Sequence, residues 1–416
     1  MRRSEYIETR EGRNLERIKR FIKNIWIDLE QEPGSKNSLS DEGKRFFRSE
    51  VKKILKDNNR RAFRSDIILE IQFFTSQDNP PAIQTLTKNY LDLLHKPMPE
   101  IDSLDRILFN DDDQIKLLIS NYHFDFFGHS KPKIRIRAYR YSLFLKDIEL
   151  AQHLSLDREI DERFEENSRN LSDFNYNYDS YLDLMEDRDW MIQNGMEDSF
   201  ILQKEMQLQQ LQESYLKSNE INYKDLLRIF QSSFQKNKGY IEDPMFQKLW
   251  KAMEDFTIIS FNTIPLGGAP IASGEKKLFK ENLLLKLEEF KSKHKILFPL
   301  VYPIGITVFY SPPIRNALDL DNLARLIVPT IVELFNPPPI MECSKKAKEM
   351  FPELKKSKKT DQRLPKNAIT NYQIINRPRK EDIPNSGSID LFITDGMDFH
   401  FNLWNQIDSI NEYIEE

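Results

Sequence analysis

Two runs decide the fold: Tyr302-Pro303-Ile304-Gly305-Ile306-Thr307-Val308-Phe309-Tyr310 and, just beyond it, Leu318-Asp319-Leu320-Asp321-Asn322-Leu323-Ala324-Arg325. The first is short, apolar and rich in β-branched and aromatic residues, which predicts a buried strand. A Pro-containing turn follows, and the apolar spacing from Asp321 to Phe335 predicts a helix. Pro329 lies inside that helix and is expected to kink it or end it early. A helical pattern from Lys276 to Phe290 precedes the strand, so the local order is helix, strand, turn, helix.

The same order occurs near the start of the chain, and such self-similarity has to be sought before a fold is assigned. A helical pattern from Lys44 to Leu55 leads into Asp66-Ile67-Ile68-Leu69-Glu70-Ile71-Gln72-Phe73-Phe74, a turn ending at Pro80-Pro81, and a helix from Ile83 to Leu94. Asn110-Asp111-Asp112-Asp113-Gln114-Ile115 then feeds a strand, and Ile369-Thr370-Asn371-Tyr372-Gln373-Ile374 is the expected counterpart, with Gln-Ile aligned in both. Each copy closes on a period-two strand, Pro132 to Tyr141 in one and Gly387 to Thr394 in the other. The expected fold class is α/β with a mixed sheet: modules at 1–150 and 256–416 around an α-helical insert at 151–255.

Composition agrees with this division. The chain has 416 residues, 39% hydrophobic and 31% charged, enough for two or three ordinary domains. Its formal charge of -5 excludes a uniformly basic coat. The acidic excess falls in 151–255, where Leu202, Met206, Leu208 and Leu211 recur at helical spacing among charged residues. Only 12 glycines are present and no phosphate-binding Gly-rich loop is among them, which argues against dinucleotide and P-loop nucleotide binding. Cys343 is the one cysteine, which excludes an internal disulfide framework and predicts a reducing, cytoplasmic setting. No apolar run is long enough to span a membrane.

Asp319 and Asp321 flank the predicted strand-to-helix turn. Carboxylates so placed can converge on one hard cation, and Mg²⁺ takes a few carboxylate oxygens with water completing its shell. Arg325, one turn beyond Asp321, is placed to hold a phosphate. The same residues have a plainer reading, because Asp is a favoured helix N-cap. Asp111-Asp112-Asp113 likewise reads either as a solvated acidic turn or, before Gln114-Ile115 and a strand, as half of a site. The six histidines show no paired metal-ligand spacing, and none is assigned chemistry.

With those motifs in place, both halves resemble the RusA family of Holliday junction resolvases. The resemblance rests on Ile258-Ile259-Ser260-Phe261 with Gly268-Ala269-Pro270, on Val308-Phe309-Tyr310-Ser311-Pro312-Pro313, on Asp319-Leu320-Asp321-Asn322, and on Asp111-Asp112-Asp113-Gln114-Ile115. It implies a Mg²⁺-dependent (Mn²⁺ also admissible) structure-selective endodeoxyribonuclease acting on branched DNA in recombination and repair. Family members act as homodimers, so a tandem copy implies an intramolecular pseudodimer.

The two copies depart from the family pattern in complementary ways. Asn79 and Pro81 are read as standing where the second copy has Asp319 and Asp321, and Thr370 and Asn371 where the first has Asp111 and Asp112. Arg325 replaces the family lysine, with Thr85 as its counterpart. If the halves meet, Asp319, Asp321, Asp111 and Asp112 form one composite metal site, with Arg325 beside it; if each site is built within a half, both are broken. The alternatives to an enzyme are a branched-DNA-binding protein without cleavage, or a scaffold of a DNA-processing or defence assembly with the insert as its partner surface.

Two basic segments are the candidates for phosphate contact. Lys355, Lys356, Lys358 and Lys359 lie in a Pro-bounded insert of the second copy, and Lys133, Arg135 and Arg137 share one face of a strand.

Overall fold

A computed structural model describes residues 9–75, 77, 80–101, 106–124, 131–154, 170–218, 263–270, 275–315, 317–335, 368–377, 384–396 and 402–412. Lys355, Lys356, Lys358, Lys359 and Asn79 lie outside the described residues. The strands are β1 (Ile25–Leu29), β2 (Ile67–Thr75), β3 (Ile115–Phe124), β4 (Lys133–Arg140), β5 (Thr263–Gly267), β6 (Ile304–Ser311), β7 (Ile369–Asn376) and β8 (Ser388–Asp395). They form one mixed eight-stranded sheet in the order β1-β4-β2-β3-β7-β6-β8-β5.

That order reads the same from either edge, half against half. In each half a parallel pair, β2 with β3 or β6 with β7, carries a register shift at its first position, between Ile67 and Ile68 or between Ile304 and Gly305. The halves join where β3 runs antiparallel to β7: Leu117 faces Ile375, Ile119 faces Gln373 and Asn121 faces Asn371. This register is symmetric about the Ile119–Gln373 pair.

Helices cover both faces of the sheet. They are α1 (Arg10–Lys23), α2 (Asp41–Asp57), α3 (Ile83–His95), α4 (Tyr141–Leu154), α5 (Asn170–Glu186), α6 (Arg188–Gln193), α7 (Glu197–Ser218), α8 (Glu275–Lys293), α9 (Leu320–Phe335) and α10 (Leu403–Glu412). Strand residues alternate between two cores because successive side chains leave opposite faces. Ile67, Leu69 and Ile71, with Ile304, Ile306 and Val308, pack under α2, α3, α8 and α9 through Phe47, Leu86, Leu283 and Ile327. Ile68, Leu117, Phe309 and Ile375 meet Phe144 of α4 and Trp404 of α10. Each such side chain, fully buried, contributes roughly 1.5–3 kcal/mol.

Local chemistry fixes the element boundaries. Ser40 caps α2 by accepting from Gly43 N at 3.1 Å. Gly305 sits where a Cβ would fall 1.9 Å from Asn371 Oδ1 and 2.7 Å from Asp395 O, so a side chain there would displace its neighbours. Asn371 in turn donates to Gly396 O at 2.7 Å. Helix α9 continues through Pro329 to Phe335, so the proline does not end it early.

The described part of the insert, α5 to α7, meets the second half through α7, where Tyr215 bonds to His294 at 2.6 Å and a buried glutamine makes the densest contact. Gln212 donates to Ile296 O (3.0 Å) and Pro299 O (2.8 Å) and accepts from Val301 N (2.9 Å) and Tyr302 N (3.1 Å). A single side chain thereby satisfies four groups. Among the described residues, no helix is long and apolar enough to cross a membrane.

The expected residue-by-residue correspondence between the halves needs correction. Ile115 opens β3 and Ile369 opens β7, whereas Gln373-Ile374 lies in the middle of β7. Thr370 and Asn371 are therefore strand residues, not counterparts of Asp111 and Asp112. The separation in sequence from Ile67 to Ile304 equals that from Ile83 to Leu320, the first residues of α3 and α9. On that count Ala82 and Gln84 correspond to Asp319 and Asp321, and Lys88 to Arg325. Asn79, Pro81 and Thr85 are each three positions short.

Candidate metal centre between the two halves

The turn before β3 is built by the Asp-Asp-x-Gln sequence itself. Asp111 caps a short 3₁₀ turn, Asp112–Gln114, by accepting from Asp113 N at 3.3 Å. The Gln114 side chain accepts from Asn110 N (2.7 Å) and Asp111 N (3.0 Å) and donates to Ser65 O (2.9 Å). This ties the turn to the chain entering β2. Asp111 is consequently exposed, while Asp112 turns inward and is buried.

On the other side, the Tyr310 hydroxyl accepts from Leu318 N at 3.0 Å and positions the chain entering α9. Asp319 precedes the helix, its carboxylate accepting from the Asn322 side chain at 3.0 Å. Asp321, in the first turn, is 2% exposed. Because α9 and the 3₁₀ turn lie together where β3 joins β7, one oxygen from each of Asp112, Asp319 and Asp321 falls within 4.8 Å of the others. Asp321 Oδ1 has no hydrogen-bond partner.

The cation facing this cluster is Lys88, from α3. Its Nζ lies 2.7 Å from Asp321 Oδ2, 3.0 Å from Asp112 Oδ2 and 3.2 Å from Asp92 Oδ1. One turn further on, His95 Nδ1 lies 3.2 Å from Asp112 Oδ1 and 2.9 Å from Leu91 O. Asp92, His95 and Asp112 form a second close triad that shares Asp112 with the first. Arg325 is exposed and, among the described residues, pairs with none of these carboxylates.

Against protein-family models, curated proteins and solved structures, the chain finds no match. The site has to be read from its own chemistry.

Crowding of carboxylates away from water disfavours their ionised forms. Burial raises Asp112, against the opposing charges of His95 and Lys88. Asp319 is pushed up to about 7, first by burial, then by its hydrogen bond with Asp113 and the charges of Asp113, Asp321 and Asp112. Burial alone would lower Lys88, but the hydrogen bond and charge of Asp321, followed by those of Asp112, outweigh it and raise the lysine. A cation placed among these oxygens relieves the repulsion. Three carboxylates with an orphaned buried oxygen match the hard-oxygen preference of Mg²⁺ or Mn²⁺.

Of the expected residues, Asp112, Asp319 and Asp321 come together, whereas Asp111 and Arg325 do not join them. Lys88, Asp92 and His95 stand outside the expected set, and Asp113, part of the expected acidic turn, bonds to Asp319. The first three follow an i, i+4, i+7 spacing on α3, a helical face readable from sequence once the halves are correctly aligned.

The strand expected to bind phosphate is also divided. Lys133 lies over the Phe74 ring at 4.4 Å, and Arg135 pairs with Asp28 at 2.8 Å. Arg137 is buried: it pairs with Asp408, sits 3.7 Å from the Trp404 ring centroid and 4.8 Å from that of Trp26. It tethers α10 to β4 and is withdrawn as a phosphate ligand.

Proposed function

We propose that the chain is a Mg²⁺-dependent structure-selective endodeoxyribonuclease with one composite active site, resembling RusA-type junction resolvases. The observation that carries this reading is the convergence of Asp112 from the first half with Asp319 and Asp321 from the second. The three carboxylates would hold Mg²⁺ or Mn²⁺, which when bound supplies charge stabilisation at a phosphoryl oxygen and a more acidic water. Lys88 then has phosphate oxygens as an alternative to its carboxylate partners, and stabilises charge developing in the transition state. Asp92 keeps Lys88 on the site, and Gln114 fixes the turn that aims Asp112. The basic Lys133 and Arg135 serve as contacts to the phosphate backbone, which position DNA without reading its sequence.

A second reading is favoured by Lys88 itself. Its ammonium already stands between Asp112 and Asp321, as a counter-ion in a non-catalytic branched-DNA-binding protein would. One experiment separates the two. A labelled synthetic four-way junction is incubated with the purified chain and Mg²⁺, alongside Asp321→Asn checked for folding by circular dichroism. Mg²⁺-dependent cleavage lost in the variant supports the enzyme; junction binding without cleavage in either protein supports the second reading.

A further inference from the structure

The register of the central strands makes the two halves geometrically equivalent, so the composite centre has a second, symmetry-related position. Its residues can be counted. Ala82 and Gln84 stand for Asp319 and Asp321 at the start of α3, and Arg325 on α9 stands for Lys88. The counterpart of Asp112, three positions before β7, lies outside the described residues. Neither ligand position within the described residues carries a carboxylate, and the cation position keeps its positive charge in Arg325. Among the described residues, both close triads contain Asp112 and none is formed around Ala82, Gln84 and Arg325.

From this we infer that the chain is a single-strand-nicking enzyme on two-fold-symmetric DNA, an inference that rests on the proposed nuclease reading. The second position keeps Arg325, suited to a phosphate backbone, but lacks both of the carboxylates that Asp319 and Asp321 supply to the first. One half-site cuts while its mate only binds. In the single event, water's oxygen joins the phosphorus and one P–O ester bond breaks. The water protons go to the leaving oxygen and to solvent, leaving one hydroxyl and one phosphate monoester. The opposite strand stays intact until the DNA dissociates and rebinds in the other orientation.

This distinguishes the chain from a symmetric homodimer, whose paired sites cut two strands within the lifetime of one complex. The substrate class is consequently a symmetric branch processed to a nicked, still-joined intermediate, which a second encounter or a separate ligase or nuclease then resolves.

A supercoiled plasmid carrying an inverted repeat extruded as a cruciform tests the inference, with enzyme limiting and Mg²⁺ present. Nicked circle as the sole first product, with linear DNA appearing only after a lag, is the expected result. Linear DNA formed directly from supercoil, without a nicked precursor, overturns the inference and leaves the nuclease reading standing. No cleavage of either the plasmid or a synthetic junction overturns the nuclease reading and this inference with it. A binding readout stands apart from activity: Mn²⁺ titration followed by electron paramagnetic resonance on the full chain. Tight binding lost altogether in Asp112→Asn, and likewise in the half-exposed Asp319→Asn, is expected. Tight binding that persists at half its stoichiometry in both variants reveals a second working site and overturns the inference.

Discussion

Lys88 Nζ lies 2.7 Å from Asp321 Oδ2, so a helix of the first half and a helix of the second are joined by a charge pair that neither half makes alone. Removing the lysine leaves Asp112 and Asp321 facing each other without compensation. Breaking a buried pair from one side costs about 3–5 kcal/mol, and Lys88→Met is expected to lose that order of stability in urea denaturation without metal. Mg²⁺ should restore more stability to the variant than it adds to the wild type, because a ligand that binds the folded state stabilises it by mass action. Equal Mg²⁺ effects on both proteins would show that the ion does not occupy the space between these carboxylates.

Adjacent aspartates in one motif are expected to behave differently. Asp111 is exposed and caps the 3₁₀ turn, so Asp111→Ala costs about 1 kcal/mol of stability and leaves junction cleavage within a small factor of wild type. Asp112 is buried and shared by both triads. Asp112→Asn is expected to abolish cleavage while circular dichroism stays native. The comparison fails if the two variants lose activity to the same extent.

Arg137 and Lys133 make the opposite kind of pair. Arg137→Ala removes one of the two cations on Asp408, the other being Arg20, and the cation over Trp404, so thermal unfolding should shift downward by an amount equivalent to about 1–3 kcal/mol. The dependence of DNA affinity on salt should stay at its wild-type slope. Lys133→Glu should do the reverse, holding stability while flattening that slope, since each neutralised phosphate contributes to it. Fluorescence anisotropy across a salt series measures both.

Acid is expected to stabilise one part of the molecule. Burial drives Asp147 up to about 7 from the ordinary 3.8, opposed by Arg20 and reinforced by Asp408. A carboxyl whose folded value is raised binds its proton more tightly when folded than when unfolded. Its contribution is therefore complete below the unfolded value and is lost as pH climbs through the folded one. The stability of wild type relative to Asp147→Asn should fall between about pH 4 and about pH 7, by a few kcal/mol. A difference that is flat, or that grows with pH, would contradict the burial of this group.

Much of the architecture was legible because it is written in periodicity. The runs at Ile67 and Ile304 have the composition of strands buried on both faces, and the helices after them have apolar spacings that match their packing. The error lay in pairing copies by shared letters: Gln114-Ile115 opens a strand, but Gln373-Ile374 occurs within one, where Gln373 donates to Thr307 Oγ1 at 2.8 Å. A separate offset of three residues at the start of α3 sets Lys88, not Thr85, opposite Arg325. Asp112 could not be told from Asp111 in sequence, since only the capping hydrogen bonds decide which carboxylate turns inward. Arg137 was equally opaque: strand alternation gives its face, but not the arrival of Asp408 and Trp404 from the far end of the chain.

The antiparallel seam between β3 and β7 has a consequence for the order of events during synthesis. Asp112 and Lys88 are made early, yet the strand that brings α9 alongside them is completed only once Asn376 has been added. Pairings so distant in sequence form late in folding. A nascent chain thus carries Asp112 and Lys88 without Asp319 and Asp321 beside them, and the carboxylate cluster becomes whole only when the later strands have been released and docked. Because both sides of the cluster lie on one chain, its closure depends on chain completion and not on concentration.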